Sequence, residues 1–71
     1  MKRVRVESSD VESIGHNGTL LEVEFKTGAV YQYANVPAPI YEAIATAPSV
    51  GRALNLLVKK NPKLYPYVRV E

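Results

Sequence analysis

The sequence predicts an α+β fold: a small antiparallel β-meander of three to five strands, with a two-helix hairpin packed on one face. Three observations predict it. Apolar and polar residues alternate in short runs from Lys2 to Tyr33, the period of strands with one buried face. Two runs of helical period follow, separated by Pro48. A last alternating run, Tyr65–Val70, closes the chain. With 71 residues and no cysteine, residues 1–71 make one domain, which must place nearly all its apolar side chains in one core.

Lys2–Glu7 alternates Arg3 and Arg5 with Val4 and Val6 and reads as a short edge strand. Ser8-Ser9-Asp10 is a break, and Val11–His16 is the next strand, with Ile14 its best core residue. Asn17-Gly18 is a hairpin signal, because both residue types tolerate positive φ. Leu20-Leu21 interrupts the alternation just after it, so a bulge near Gly15 or Gly18 is expected.

The second hairpin, Leu20–Tyr33, organises the chain. Leu21, Val23 and Phe25 alternate with Glu22 and Glu24, which places the apolar set on the core and both carboxylates in water. A two-residue turn at Thr27-Gly28 pairs Phe25 with Val30 and turns Gln32 into the core. A three-residue turn, Lys26-Thr27-Gly28, with Gly28 in the left-handed conformation of a G1 bulge, pairs Phe25 with Ala29. It sets Val23 opposite Tyr31, Leu21 opposite Tyr33 and Glu22 opposite Gln32. A slip of one residue inverts every side chain, so the two turns exclude each other. Matching apolar with apolar selects the three-residue turn. Gly28, Tyr31 and Tyr33 are then a structural motif, with both tyrosines facing the core.

Val36-Pro37-Ala38-Pro39 ends the strand, since proline cannot donate to a ladder. A helix is expected from Pro37 to Ala47, with Ile40, Ile44 and Ala47 on its core face and Ala43 beside them. Ser49 caps a second helix from Val50 to about Lys60, with Val50, Ala53, Leu54, Leu57 and Val58 inward. Gly51 in its first turn implies close packing or the close approach of a ligand. The tail strand is expected to continue the sheet beside Val4 and Val6.

Little in the chain supports catalysis. The lack of cysteine removes thiolate metal sites and thiol nucleophiles. His16 is the sole histidine, without a nucleophile or a second ligand at metal spacing, and reads as a surface residue. Glu22 and Glu24 share a strand face but read as solvated carboxylates rather than an acid–base pair. There is no glycine-rich phosphate loop. The expectation is a non-enzyme with no catalytic residue, metal or cofactor. No apolar run approaches the ~20 residues of a membrane span. The opening MKRVRVESSD lacks the apolar core of a signal peptide. A monomeric, cytoplasmic protein that does not engage membranes is expected.

The net charge is +2 and the pI is near 9.0, at the margin of what marks nucleic-acid binding. Its distribution is more telling. Glu7 to Glu24 holds five acids and no Lys or Arg, whereas basic residues gather in Lys2–Arg5 and in Arg52–Arg69. Arg52, Lys59, Lys60, Lys63 and Arg69 face only Glu71. Tyr65 and Tyr67 flank Pro66 in this basic tail and are candidates for stacking on bases. Ser49, Gly51 and Asn55 form a second candidate, a polar site where the free N–H groups of a helix start attract phosphate. They read equally as a cap and an ordinary helix surface.

Taken together, Ser13-Ile14-Gly15, Leu21-Glu22-Val23-Glu24-Phe25, Gly28, Tyr31-x-Tyr33, Val36-Pro37, Tyr41, Ser49-x-Gly51, Asn55 and Tyr65-Pro66-Tyr67 resemble the KTSC domain family. The resemblance runs from about Val6 to Val70. Members occur at the C-terminus of some lysyl-tRNA synthetases and as small stand-alone bacterial and phage proteins. The resemblance implies a module for RNA or tRNA by association with the synthetase. The chain departs from the family pattern in lacking an aromatic near Ala53-Leu54. The expected function is a small binding module for nucleic acid, with a protein–protein interaction module or small regulator of a larger machine as the alternative.

Overall fold

Short alternating runs joined by tight turns leave the chain one economical arrangement, each strand lying beside the one before it. The computed structural model, which describes residues 1–71, has this arrangement. Its strands are β1 (Val4–Arg5), β2 (Val11–Asn17), β3 (Leu20–Phe25), β4 (Val30–Tyr33) and β5 (Tyr67–Arg69). They form one antiparallel sheet in the order β1-β2-β3-β4-β5. Helices α1 (Ala38–Ala45) and α2 (Val50–Leu54) lie between β4 and β5 in the chain. Ile44, Val50, Leu54 and Val58 pack with Ile14, Leu21, Val23 and Tyr33 in one buried cluster, so the helices cover one face of the sheet.

The second hairpin has the register that apolar matching selects: Leu21 opposite Tyr33, Glu22 opposite Gln32, Val23 opposite Tyr31. The Phe25 N–H donates to Ala29 O and the Gly28 N–H to Phe25 O, both at 2.9 Å. Gly28 has φ +96°, which closes the G1 bulge. In the first hairpin Asn17 pairs with Leu20, so Gly18-Thr19 are the loop and only Gly18, at φ +64°, is left-handed. The bulge expected near Gly15 or Gly18 lies instead between Val11 and Ser13. It lets β2 swing so that the Asp10 carbonyl meets the Lys26 N–H at 2.9 Å.

Three other expectations are corrected. The tail strand does not join Val4 and Val6; β5 pairs with β4, at the opposite edge of the sheet from β1. The cause is Tyr65, which is buried in the core and delivers Pro66 O to the Ala34 N–H at 2.8 Å, beside β4. Glu22 is not solvated, being 8% exposed. His16 is not a surface residue: it is half-buried, its ring stacked on Tyr41 at 4.8 Å and 8°. Its Nε2 lies 2.7 Å from the Val36 carbonyl. That oxygen can only accept, so Nε2 carries the proton and ties β2 to the entry of α1.

The helices are shorter and less regular than their periodicity suggests. α1 starts after Pro37 and ends at Ala45; Ile40 and Ile44 face inward, but Ala43 is exposed. α2 begins on Ser49, whose Oγ accepts the Arg52 N–H at 3.3 Å. After Leu54 the helix widens into a π-helical turn, Asn55–Lys59. Leu54 and Val58 stay buried through the wider turn, and Leu56 is 52% exposed.

Candidate nucleic-acid interface

Two polar regions stand out, one on each side of the sheet. The face away from the helices carries a network. Arg3 is ion-paired with Glu22, its Nε donates to Ser13 Oγ at 3.0 Å, and Ser13 Oγ donates to Glu24 Oε1 at 2.8 Å. Gln32 Nε2 donates to Glu22 Oε1 at 2.8 Å. The hydrogen bond from Gln32, with the bond and charge of Arg3, holds the Glu22 carboxyl below its ordinary range against the opposing effect of burial. Gly15 lies beneath Arg3, and a Cβ there would stand 2.5 Å from Lys2 O. Arg5 pairs with Glu12 at 2.7 Å. Both N-terminal arginines are thus paired with acids of the sheet, Arg3 in a half-buried network and Arg5 through an exposed bridge.

The other region is a groove between the hairpin end and the C-terminal segment, with a volume of about 910 Å³. That is the upper end of the range for small-ligand sites. Its aromatic lining is Phe25, Tyr31, Tyr33, Tyr65 and Tyr67. The Tyr31 and Tyr67 rings are 5.7 Å apart, Tyr33 and Tyr67 5.9 Å, and Tyr31 and Phe25 meet edge to face at 5.7 Å. The backbone explains the grouping: Tyr33 pairs with Tyr67 and Tyr31 with Arg69 across the β4–β5 ladder. Tyr33 is 3% exposed, and burial, aided by its tyrosine neighbours, raises its hydroxyl to about 12. It stays protonated, a hydrogen-bond donor, throughout the physiological range.

The cationic lining is Lys26, Lys59 and Arg69. Lys59 Nζ sits 5.3 Å from the centre of the Phe25 ring. Neither lysine has a carboxylate partner. Arg69 donates its Nε to the Glu71 main-chain oxygen at 2.8 Å, which leaves its Nη groups for a ligand.

The structure divides the residues singled out from the sequence. Lys59, Arg69, Tyr65 and Tyr67 line the groove; Arg52, Lys60 and Lys63 are exposed but lie outside it. Tyr65 is 8% exposed and is a core residue with an edge in the groove, not a free stacking platform, whereas Tyr67 is 56% exposed. Tyr31 and Tyr33 are scaffold, as their register requires, yet Tyr31 is only half-buried and both reach the groove. Ser49 is the helix cap. Gly51 is packed under the β1–β2 loop, where a Cβ would lie 3.3 Å from Ser8 Oγ. Asn55 is exposed at the start of the π-turn. These three do not form a common pocket with the groove. Lys26 and Asp10 were not legible as site residues, since each reads as turn chemistry. Only the contact between their backbones brings them to the groove.

Fold and groove together define a class: small sheet-and-helix modules with an open aromatic groove beside the last strand. The chain belongs to the KTSC domain family, whose family model matches residues 7–61. It is 41% identical to a protein of Stutzerimonas stutzeri over 73 aligned residues, covering 100% of both chains. It is 38% identical over 56 residues to a protein of Tsukamurella paurometabola, covering 76% of this chain and 84% of the relative. The crystal structure of a KTSC domain protein from Yersinia pestis superposes with a TM-score of 0.89 at 28% identity. That match covers 99% of this chain and 97% of the other. No helix is long and apolar enough to cross a membrane.

Proposed function

We propose that the protein is a non-enzymatic, monomeric, cytoplasmic module that binds single-stranded RNA in the groove between β4, β5 and the π-turn. One observation carries the reading: exposed or half-exposed tyrosine rings and three cations without side-chain carboxylate partners share a single open groove. Single-stranded nucleic acids are bound by that combination, bases against rings and phosphates against Lys and Arg. Tyr67 is the most exposed ring and supplies the principal stacking face. In a titration with a labelled oligouridylate at low salt, Tyr67→Ala is expected to weaken binding by about 1–3 kcal/mol. Absence of binding by the unsubstituted protein at micromolar concentration sinks the reading.

A protein-binding role is supported by a different feature. β5 is an edge strand, and Val68 and Val70, on the sheet face opposite the groove, are 58% and 44% exposed, which suits addition of a partner strand. A pull-down from nuclease-treated lysate separates the roles: a retained protein favours the edge, and loss of all partners favours the groove.

A further inference from the structure

Of the seven large apolar side chains that stand exposed, four fall in one short stretch: Leu64, Tyr67, Val68 and Val70. Apolar surface gathered in this way marks a contact, and here it lies on a strand with an open edge, since β5 has a neighbour only in β4. The Ala34 N–H reaches Pro66 O at 2.8 Å, and the Val70 N–H reaches Val30 O at 2.7 Å. Along an antiparallel ladder the direction of the backbone polar groups alternates from residue to residue. Pro66, Val68 and Val70 therefore turn theirs to β4, and Tyr67 and Arg69 turn theirs to the open edge. The N–H that Pro66 lacks is not needed on that side.

The occupant these residues fit is the same strand of a second copy. A two-fold axis brings like edges together antiparallel. Outward groups meet outward groups only where Tyr67 or Arg69 of one copy stands against Tyr67 or Arg69 of the other. Arg69 against Arg69 opposes like charges. Tyr67 against Tyr67 leaves Arg69 facing Tyr65, which is buried in the core and lies outside the strand. Tyr67 against Arg69 uses every outward N–H and C=O of both residues. It sets Val68 opposite Val68 and Val70 opposite Pro66 on the outer face, apolar with apolar throughout. On the groove face it sets an arginine beside each exposed tyrosine ring. We infer that two copies pair edge to edge through β5 about an axis at Val68, so that each groove receives the other copy's Arg69 beside its own Tyr67. So short an edge covers far less than the ~800 Å² per partner of a stable interface. The single chain therefore prevails at micromolar concentration, and the pair forms above it. On the RNA reading, a strand in either groove touches both copies and strengthens the pair.

The test is sedimentation equilibrium of the full chain from micromolar to millimolar concentration, run on the parent, Val68→Lys, Val68→Glu and an equal mixture of the two variants. Val68 is exposed and lies outside the groove, so both variants are expected to keep the parent's circular dichroism spectrum. The parent is expected to pass from monomer to dimer over this range. Each variant alone is expected to associate at least about tenfold more weakly, because like charges meet at the axis. The mixture is expected to regain the parent's association, since opposite charges then face each other; a contact away from the axis gives no such recovery. A parent that stays monomeric at millimolar concentration overturns the inference, as does either variant pairing as tightly as the parent. A mixture that regains nothing overturns the pairing of Val68 with Val68. Added pentauridylate is expected to shift dimer formation to lower protein concentration. A pair that forms without RNA and is not shifted by bound RNA overturns the link between pairing and groove. Absence of RNA binding sinks the RNA reading and leaves the pairing.

Discussion

Glu22 is a carboxylate at 8% exposure with both oxygens occupied, Oε2 by Arg3 and Oε1 by Gln32. Those partners hold it below its ordinary value of 4.5, so in the unfolded chain it takes up a proton more readily than in the folded one. Its contribution to stability is therefore complete above pH 4.5 and is lost as pH falls through the lower, folded-state value. Glu22→Gln is expected to cost about 1–3 kcal/mol at neutral pH, because Arg3 loses its charged partner. The same variant is expected to lose less than the parent on acidification; urea midpoints at neutral pH and below 4.5 check both limbs. Gly15 serves the same network. A methyl group 2.5 Å from Lys2 O forces the N-terminal segment away, and Arg3 with it. Gly15→Ala is expected to destabilise by about 1–3 kcal/mol. Hydrogen exchange at the Val6 amide, bonded to Glu12 O, should rise first if β1 detaches.

The β3–β4 hairpin is the element on which everything else depends, because its register decides which side chains reach the groove. Gly28 sets that register at φ +96°, with nothing within 4 Å of the position a Cβ would take. Crowding is therefore absent and the cost of a side chain is conformational alone. Gly28→Ala is expected to lose about 1–2 kcal/mol in a urea titration, and Gly28→Asn less, since Asn adopts the left-handed region more readily. This hairpin was fully legible in the sequence, because only one turn length matches apolar with apolar across it. The π-turn was not legible: Leu54, Leu57 and Val58 turn inward and Leu56 outward in an α-helix as in the wider turn, so the pattern carries no sign of the extra residue. The placement of β5 was equally hidden. Tyr65–Val70 alternates whichever edge it joins, and the choice is made by the burial of Tyr65 far along the chain. Half the groove was legible for the same reason. Lys59, Arg69 and Tyr67 stood out as basic-tail chemistry, while Asp10 and Lys26 meet only through a bond between two turns.

Across the whole molecule, charge is sorted by the fold rather than spread. Arg3 and Arg5 are held by Glu22, Glu24 and Glu12, so the two N-terminal arginines are paired on the outer sheet face. The remaining lysines and arginines divide between the groove (Lys26, Lys59 and Arg69) and the exposed residues Lys2, Arg52, Lys60 and Lys63 that lie outside it. Salt dependence separates these two sets. Each phosphate neutralised on a single strand contributes about 0.7 to the slope of log affinity against log salt. Binding confined to the groove is therefore expected to show a slope of about −2, and Lys59→Gln to reduce its magnitude by about 0.7. Lys63→Gln, equally basic and equally exposed, is expected to change neither slope nor affinity. A slope near −4 requires both sets at once, whereas losses in Lys63→Gln and Arg52→Gln with Lys59→Gln unchanged assign the interface to the helix surface instead. In that arrangement the tyrosines have no base to meet, and Tyr67→Ala binds as tightly as the parent.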